Sequence, residues 1–410
     1  MATSPAASAA FGFGTPFFEQ IEFFRRKLNL PTDAWDDIKR SAHDRAFIVA
    51  GAAKADLLQD LRGAMDSAMA SGGIAEFRKQ FKAVVAQHGW TGWKGEGSPA
   101  GVAWRTRIIY QTNMATSYAA GRYQQLTEPG FAKRRPFWKY VHADGLRHPR
   151  PLHLAWNGLT LPLEHPFWKT HFAPNGWGCR CEIHPVAAPA AGAATEPPAG
   201  WDQIDPHTGA PPGIDKGFDY TPGANVHTPL QTLVDQKLIK LDAPMGAAMW
   251  QALKPALAME RQAAWWETLD TWLASPAPIG RTAVVGTLDT ELLGWLQSNG
   301  HEMPLTAEIA IREGLVVGAK QQRHMSQQTG LLLDEWRALP ALLDQPGNIY
   351  RDTSSGKLIF VADGIGPTKA AVEFDPKKTK QGLNELSTAF RVSAVDVAGM
   401  VKGLLWELIR

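Results

Sequence analysis

Between residues 136 and 185 the chain abandons helical periodicity. This stretch is rich in Trp, His, Pro and Gly, and it holds the only two cysteines, Cys179 and Cys181. A segment with no long amphipathic face has to fold around specific contacts. Cysteines one residue apart are too close for an unstrained disulfide, so a disulfide scaffold is ruled out. Two thiols and several imidazoles are, however, the donor types of a tetrahedral zinc site. His153, Cys179 and Cys181 are the first ligands to consider, with His142 or His148 as a fourth. The competing reading has the histidines bonded to loop backbone and the thiols packed as small apolar groups. Cys-x-Cys is a less favourable spacing for one zinc than Cys-x-x-Cys. Arg180, between the thiols, could hold a carboxylate or phosphate.

The segments on either side are more regular. Residues 31–88 read as helices. Pro31-Thr32-Asp33 is a start signal, and Ile38, Ala42, Ala46, Val49 and Ala53 approximate one face. Further helices are predicted over 56–69 and 74–87, with stops at Ser71-Gly72-Gly73 and Gly89. After the glycine-rich stretch 92–101, a helix over 102–126 carries Ala103, Ala115, Ser117, Ala119, Ala120 and Gly121. Small side chains there let another helix come close. The run 186–200 is low in complexity and reads as a linker. Helical pattern returns over 230–273, and Ser275-Pro276-Ala277-Pro278 marks a boundary.

From Arg281 onward the pattern is mixed. Strands are expected at 282–286, 307–317, 369–374 and 386–392, with a hairpin over 348–361 turning at Ser354-Ser355-Gly356. Helices are expected at 287–299 and 330–343, and one from 394 to 409 closes the chain. The fold class is therefore multidomain: a mostly α N-terminal region with an irregular Trp/His/Cys-rich segment, then an α+β domain with an antiparallel sheet. The divisions are an arm over 1–30, a domain over 31–225 including the linker, a helical connector over 226–280 and a final domain over 281–410.

The totals narrow the function classes. The 410 residues suffice for two or three domains. With 42 basic and 40 acidic side chains the net charge is only +2, which argues against a wholly nucleic-acid-coated protein but leaves room for a local basic site. No run of about 18 apolar residues is present, so no membrane span is expected. The first 20 residues do not read as a signal peptide. Scarce cysteine fits a reducing compartment.

Several separated motifs resemble, in order, the phage Mu protein F-like minor head proteins. They are the helix from Tyr110-Gln111-Thr112-Asn113 to Tyr123; Asp144, Arg147, His148, Pro149, His153 and Gly158; Phe167-Trp168; Pro174-Asn175-Gly176; Cys179-Arg180-Cys181; and Phe218-Asp219-Tyr220-Thr221-Pro222-Gly223. The resemblance covers roughly residues 20–225. It implies head morphogenesis near the portal, with portal and other phage head proteins as partners, in the virion and in the host cytoplasm during assembly.

A shorter set of motifs resembles the phage-borne nuclease domains of the barnase, EndoU, colicin and RelE-like group, over roughly 280–395. They are Ala319-Lys320-Gln321-Gln322-Arg323-His324, Leu339-Pro340-Ala341-Leu342-Leu343, Ile349-Tyr350-Arg351-Asp352 and Asn384 through Val392. The resemblance implies metal-independent RNA cleavage by a toxin domain. His324 would move the proton, since its ordinary pKa of about 6.5 suits neutral pH. Lys320, four residues earlier, would share its helical face. Arg351 would hold the phosphate, and Thr388 would bond to it or orient a partner. Each has a plain alternative: a satisfied histidine, a turn ion pair of Arg351 with Asp352, a threonine suited to a strand interior. The rival function is a purely structural virion assembly protein whose last domain is an interaction module. Lys377, Lys378 and Lys380 read as a wet basic turn, and Trp265, Trp266 and Trp272 as packing residues.

Overall fold

The structure is a computed structural model. It describes residues 17–410 apart from 33, 35, 37, 39, 144–147, 276, 364–366 and 375–381. Asp33, Asp144, Arg147, Pro276, Lys377, Lys378 and Lys380 therefore lie outside the described residues. The chain divides into two compact units, one ending at Thr228 and one starting at Pro229. Among the described residues no helix is long and apolar enough to cross a membrane.

The first unit begins with α1 (Phe18–Arg25), followed by the short parallel pair β1 (Leu28–Asn29) and β2 (Ala46–Phe47). Among the described residues of 31–53 no α-helix forms. Leu28 N–H donates to Arg45 O and Leu30 N–H to Phe47 O, so two extended pieces pair instead. A 3₁₀ turn, Arg40–Asp44, lies between them, and Arg40 has φ of 56°, which no α-helix tolerates. Ile38, Ala46 and Val49 are buried as separate anchors rather than as one helical stripe.

Helices α2 (Ala55–Ser67), α3 (Gly73–His88) and α4 (Pro99–Leu126) follow the predicted pattern closely. Ser98 caps α4 by accepting from Gly101 N–H at 3.0 Å, with Pro99 at its first turn. The small residues of α4 do what their size suggests. A Cβ on Gly121 would stand 2.8 Å from the backbone nitrogen of Gln20, so α1 can lie against α4 only with glycine there. Gln20, 7 % exposed, then donates to Met114 O and Ser117 Oγ.

After α5 (Pro129–Arg134) comes the aromatic module. Its sheet has the order β4-β3-β5, all antiparallel, from β3 (Phe137–Val141), β4 (Thr160–Pro162) and β5 (Glu182–Val186). Two short helices, α6 (Pro151–Ala155) and α7 (Trp168–His171), sit in the connections. Trp138, Tyr140, Trp156, Phe167, Trp168 and Phe172 form its core with edge-to-face ring contacts such as 5.3 Å for Trp138–Phe172. Fully burying each such ring contributes roughly 2–3 kcal/mol.

The second unit opens with α8 (Gln231–Leu238) and α9 (Ala243–Leu273), the latter capped by Asp242. The stretch expected as a connector is core: Trp265, Leu269 and Trp272 pack with the sheet residues, while Trp266 is largely exposed. Then follow β6 (Thr282–Thr287), α10 (Thr290–Ser298), β7 (Glu308–Arg312), α11 (Glu313–Val317), α12 (Ala319–Ser326), α13 (Leu333–Arg337), α14 (Leu339–Asp344), β8 (Asn348–Asp352), β9 (Leu358–Asp363), β10 (Pro367–Glu373), β11 (Asn384–Arg391), α15 (Ala394–Lys402) and β12 (Trp406–Leu408). The seven-stranded sheet has the order β12-β8-β9-β10-β11-β7-β6, and β11 with β7 is its parallel pair.

Three sequence expectations change here. The strand foreseen over 307–317 ends at Arg312, where buried Glu313 accepts from Ile279 N–H and binds the Arg281 guanidinium. The helix over 330–343 is two short ones. The closing helix stops at Lys402, and Leu404 at φ 55° turns the chain so that Trp406 returns as an edge strand against Tyr350.

Glu308 on β7 is fully buried, and neither carboxylate oxygen has a hydrogen-bond partner among the described residues. Burial pushes its pKa up to about 7. A carboxyl raised in the folded state stabilises fully below its unfolded pKa near 4.5 and loses that contribution as pH rises through 7. Glu308→Gln is expected to raise stability by on the order of 2 kcal/mol at pH 8 and to leave it nearly unchanged at pH 4.5. Thermal melts of both proteins at the two pH values check this.

Candidate metal centre

The two sulfurs and the candidate imidazoles converge. His153 comes from α6, Cys179 and Cys181 from the extended run entering β5, and His142 from the residue following β3. His153 Nδ1 lies 3.6 Å from Cys179 Sγ and 3.6 Å from Cys181 Sγ. His142 Nδ1 lies 3.4 Å from Cys181 Sγ. The ligand atoms of His153, Cys179 and Cys181 are all within 4.8 Å of one another. His142 touches this triangle at the Cys181 corner. His148, the other candidate, is exposed on the rim of the same cavity of about 310 Å³.

The surroundings fix the donors. His153 is 1 % exposed and its Nε2 is 2.8 Å from Gly213 O. That carbonyl can only accept, so Nε2 carries the proton and the Nδ1 lone pair faces the sulfurs. The ring stacks on Trp156 at 5.1 Å. Tyr140 O–H donates to Asn175 Oδ1 at 2.9 Å, and His142 N–H donates to Asn157 Oδ1 at 3.0 Å. Pro174-Asn175-Gly176 has a steric reason as well. A Cβ on Gly176 would meet the Arg150 guanidinium at 2.2 Å and the Asp215 carboxylate at 2.3 Å. Those two pair at 2.8 Å, and Asp215 also accepts from Trp177 N–H, which fastens the approach to Cys179.

Electrostatically the thiols share one proton. Cys179 donates toward Cys181, which pushes the Cys181 thiol well down and Cys179 up. One ready thiolate beside a second thiol and a lone-pair imidazole suits a thiophilic cation better than a hard one. His171, the other buried histidine of the module, is different. It stacks on Phe167 at 4.0 Å and burial lowers its pKa to about 3, so it is a neutral core residue.

The residues singled out in the second unit are divided by its sheet. Register pairs Thr388 with Ala371, Ala371 with Ile359 and Ile359 with Tyr350, which places these on one face. Phe390 shares that face, and His324 stacks on it at 4.8 Å. Lys320 Nζ donates to Ser387 O beside them. Burial and the neighbouring Lys320 and Arg323 hold His324 below its ordinary pKa. Arg351 pairs with Leu358 and Val372 in register, which is the opposite face, three strands or about 14 Å from β11. There it meets Glu407 at 3.8 Å rather than Asp352. Sequence reasoning missed Lys369, which lies on the Thr388 face with its ammonium 4.5 Å from the Trp406 ring. Its place on a strand paired with Phe390 was the signal available.

Residues 59–184 match a family described as phage Mu protein F like protein. All four converging side chains fall inside that range. The chain is 37 % identical over 158 residues to the Mu-like prophage FluMu F protein of Haemophilus influenzae, a stretch that spans 37 % of this chain and 37 % of that one. It is 26 % identical over 387 residues to the "Putative capsid assembly protein F" of Escherichia phage Mu, covering 86 % of this chain and 85 % of that protein. No solved structure matches the chain. An alignment of the second length runs well into the second unit. Residues 59–184 are thus similar to the phage Mu protein F-like family, and the similarity to phage Mu's own F protein continues over most of the chain.

Proposed function

We propose that this chain acts in assembly of a phage head by binding neighbouring head proteins, the portal among them. We propose further that one zinc ion on His142, His153, Cys179 and Cys181 holds the 136–225 module closed. The observation that carries the metal reading is the set of nitrogen–sulfur separations of 3.4–3.6 Å. Zinc bonds of about 2.3 Å to sulfur and about 2.0–2.1 Å to nitrogen put the edges of a tetrahedron at about 3.5 Å. Four protein ligands leave no open position, so the ion would be a building element rather than a reaction centre. The alignment reaching into the second unit supports reading both units as parts of one assembly protein.

Full-length protein purified from zinc-containing medium is expected to carry one zinc per chain. Cys181→Ser is expected to lose it and to lower the melting temperature by on the order of 10 °C. A well-folded protein that holds no metal and melts identically with and without chelator would contradict the proposal.

A second reading, RNA cleavage by the second unit, is favoured by one observation: His324, Lys320 and Thr388 gather on one face of the sheet. Under it the full chain cuts RNA with no metal added, and His324→Ala stops the cutting while the protein stays folded. RNA left whole by folded wild-type protein counts against it.

A further inference from the structure

A second cavity of the first unit, about 110 Å³, is walled by residues of α4 and by the segment from Lys27 to Ala50. Two cations face it. Lys27 is 4 % exposed, and its ammonium has no hydrogen-bond partner among the described residues; it lies 4.9 Å from the Phe23 ring centroid. Arg105 is 9 % exposed. It gives one N–H to Ala50 O, but its Nε–H is buried with no acceptor. The neighbouring carboxylate, Asp44, is already occupied by Gly223 N–H at 2.9 Å and Asn225 N–H at 3.0 Å. Lys216, also on the wall, pairs with Asp36. Among the described residues the cavity wall carries three cationic side chains and no carboxylate.

Removing an ammonium and a guanidinium N–H from water without acceptors costs several kcal/mol. Burial lowers Lys27 only to about 8, so it stays charged at neutral pH; Asp44 acts on it through its charge but accepts no hydrogen bond from the ammonium among the described residues. The remaining wall decides the kind of anion. Ile38, Val49 and Ile109 are apolar, and Asn113 and Thr116 on the same wall already donate to Ile109 O and Thr112 O, which leaves fewer donors than the several oxygens of an inorganic phosphate need. A carboxylate needs few donors, and its hydrocarbon end gains from that apolar wall.

We propose that this cavity binds a small organic carboxylate, with the charged end between Lys27 and Arg105 and a short aliphatic end against Ile38, Val49 and Ile109. The ligand displaces water from a space large enough for several molecules.

Calorimetric titration of the full chain with butyrate, and in parallel with inorganic phosphate, tests this. Saturable butyrate binding is expected, tighter than any phosphate binding, and Lys27→Met is expected to weaken it at least about tenfold. Should that variant fold poorly, the wild-type lysine can be followed directly by NMR, where butyrate is expected to raise the titration midpoint of Lys27. No butyrate binding, phosphate binding as tight as butyrate, an unchanged Kd in Lys27→Met, or a Lys27 titration indifferent to butyrate would each overturn the proposal.

Discussion

The convergence of two sulfurs with two imidazoles is the contact on which the first unit's architecture most depends. The aromatic module has only a three-stranded sheet, with strands of three to five residues, and two helices of a single turn. Such elements bury little backbone and resist little on their own. What ties the residue after β3, the helix α6 and the run entering β5 is a shared set of donor atoms. Around it the hydrogen bonds are single-purpose: Gly213 O sets the His153 tautomer, Asn157 holds the His142 backbone, and the Arg150–Asp215 pair fastens Gly176 and Trp177.

That arrangement also explains the unusual composition of the segment. Tryptophans fill the volume that short elements leave open, and Trp156 serves both the core and the candidate site, by packing on Phe167 and by stacking on His153. The second unit is built on the opposite principle. It has a long sheet with apolar side chains on both faces, one packed with α9 and the other with α15. His324, Lys369 and Thr388 gather on the face that also packs with α15, whereas Arg351 is drawn into an edge pair with Glu407.

Much of this was legible in the sequence. The small residues of α4 announced a close helix contact, and α1 makes it through Gly121. The grouping of His153, Cys179 and Cys181 was suggested by their donor types, and the structure brings these three together. That His142 lies against Cys181 while His148 is exposed was not readable, since it depends on which side of an irregular turn faces inward. The region 31–53 misled because Ile38, Ala46 and Val49 are apolar at helical spacing while each anchors a different non-helical piece. Arg351 misled for a related reason. Its distance in sequence from Thr388 says nothing about the face of the sheet, which is set by a one-residue parity that only the register reveals. The strand β12 was hidden by a helix-like run that Leu404 interrupts with positive φ.

X-ray absorption at the zinc edge of the purified full-length protein tests the central claim most directly. The account predicts a first coordination shell of two sulfurs at about 2.3 Å and two nitrogens at about 2.0–2.1 Å, with imidazole scattering beyond. A shell of oxygens alone, or of sulfur without nitrogen, would contradict it.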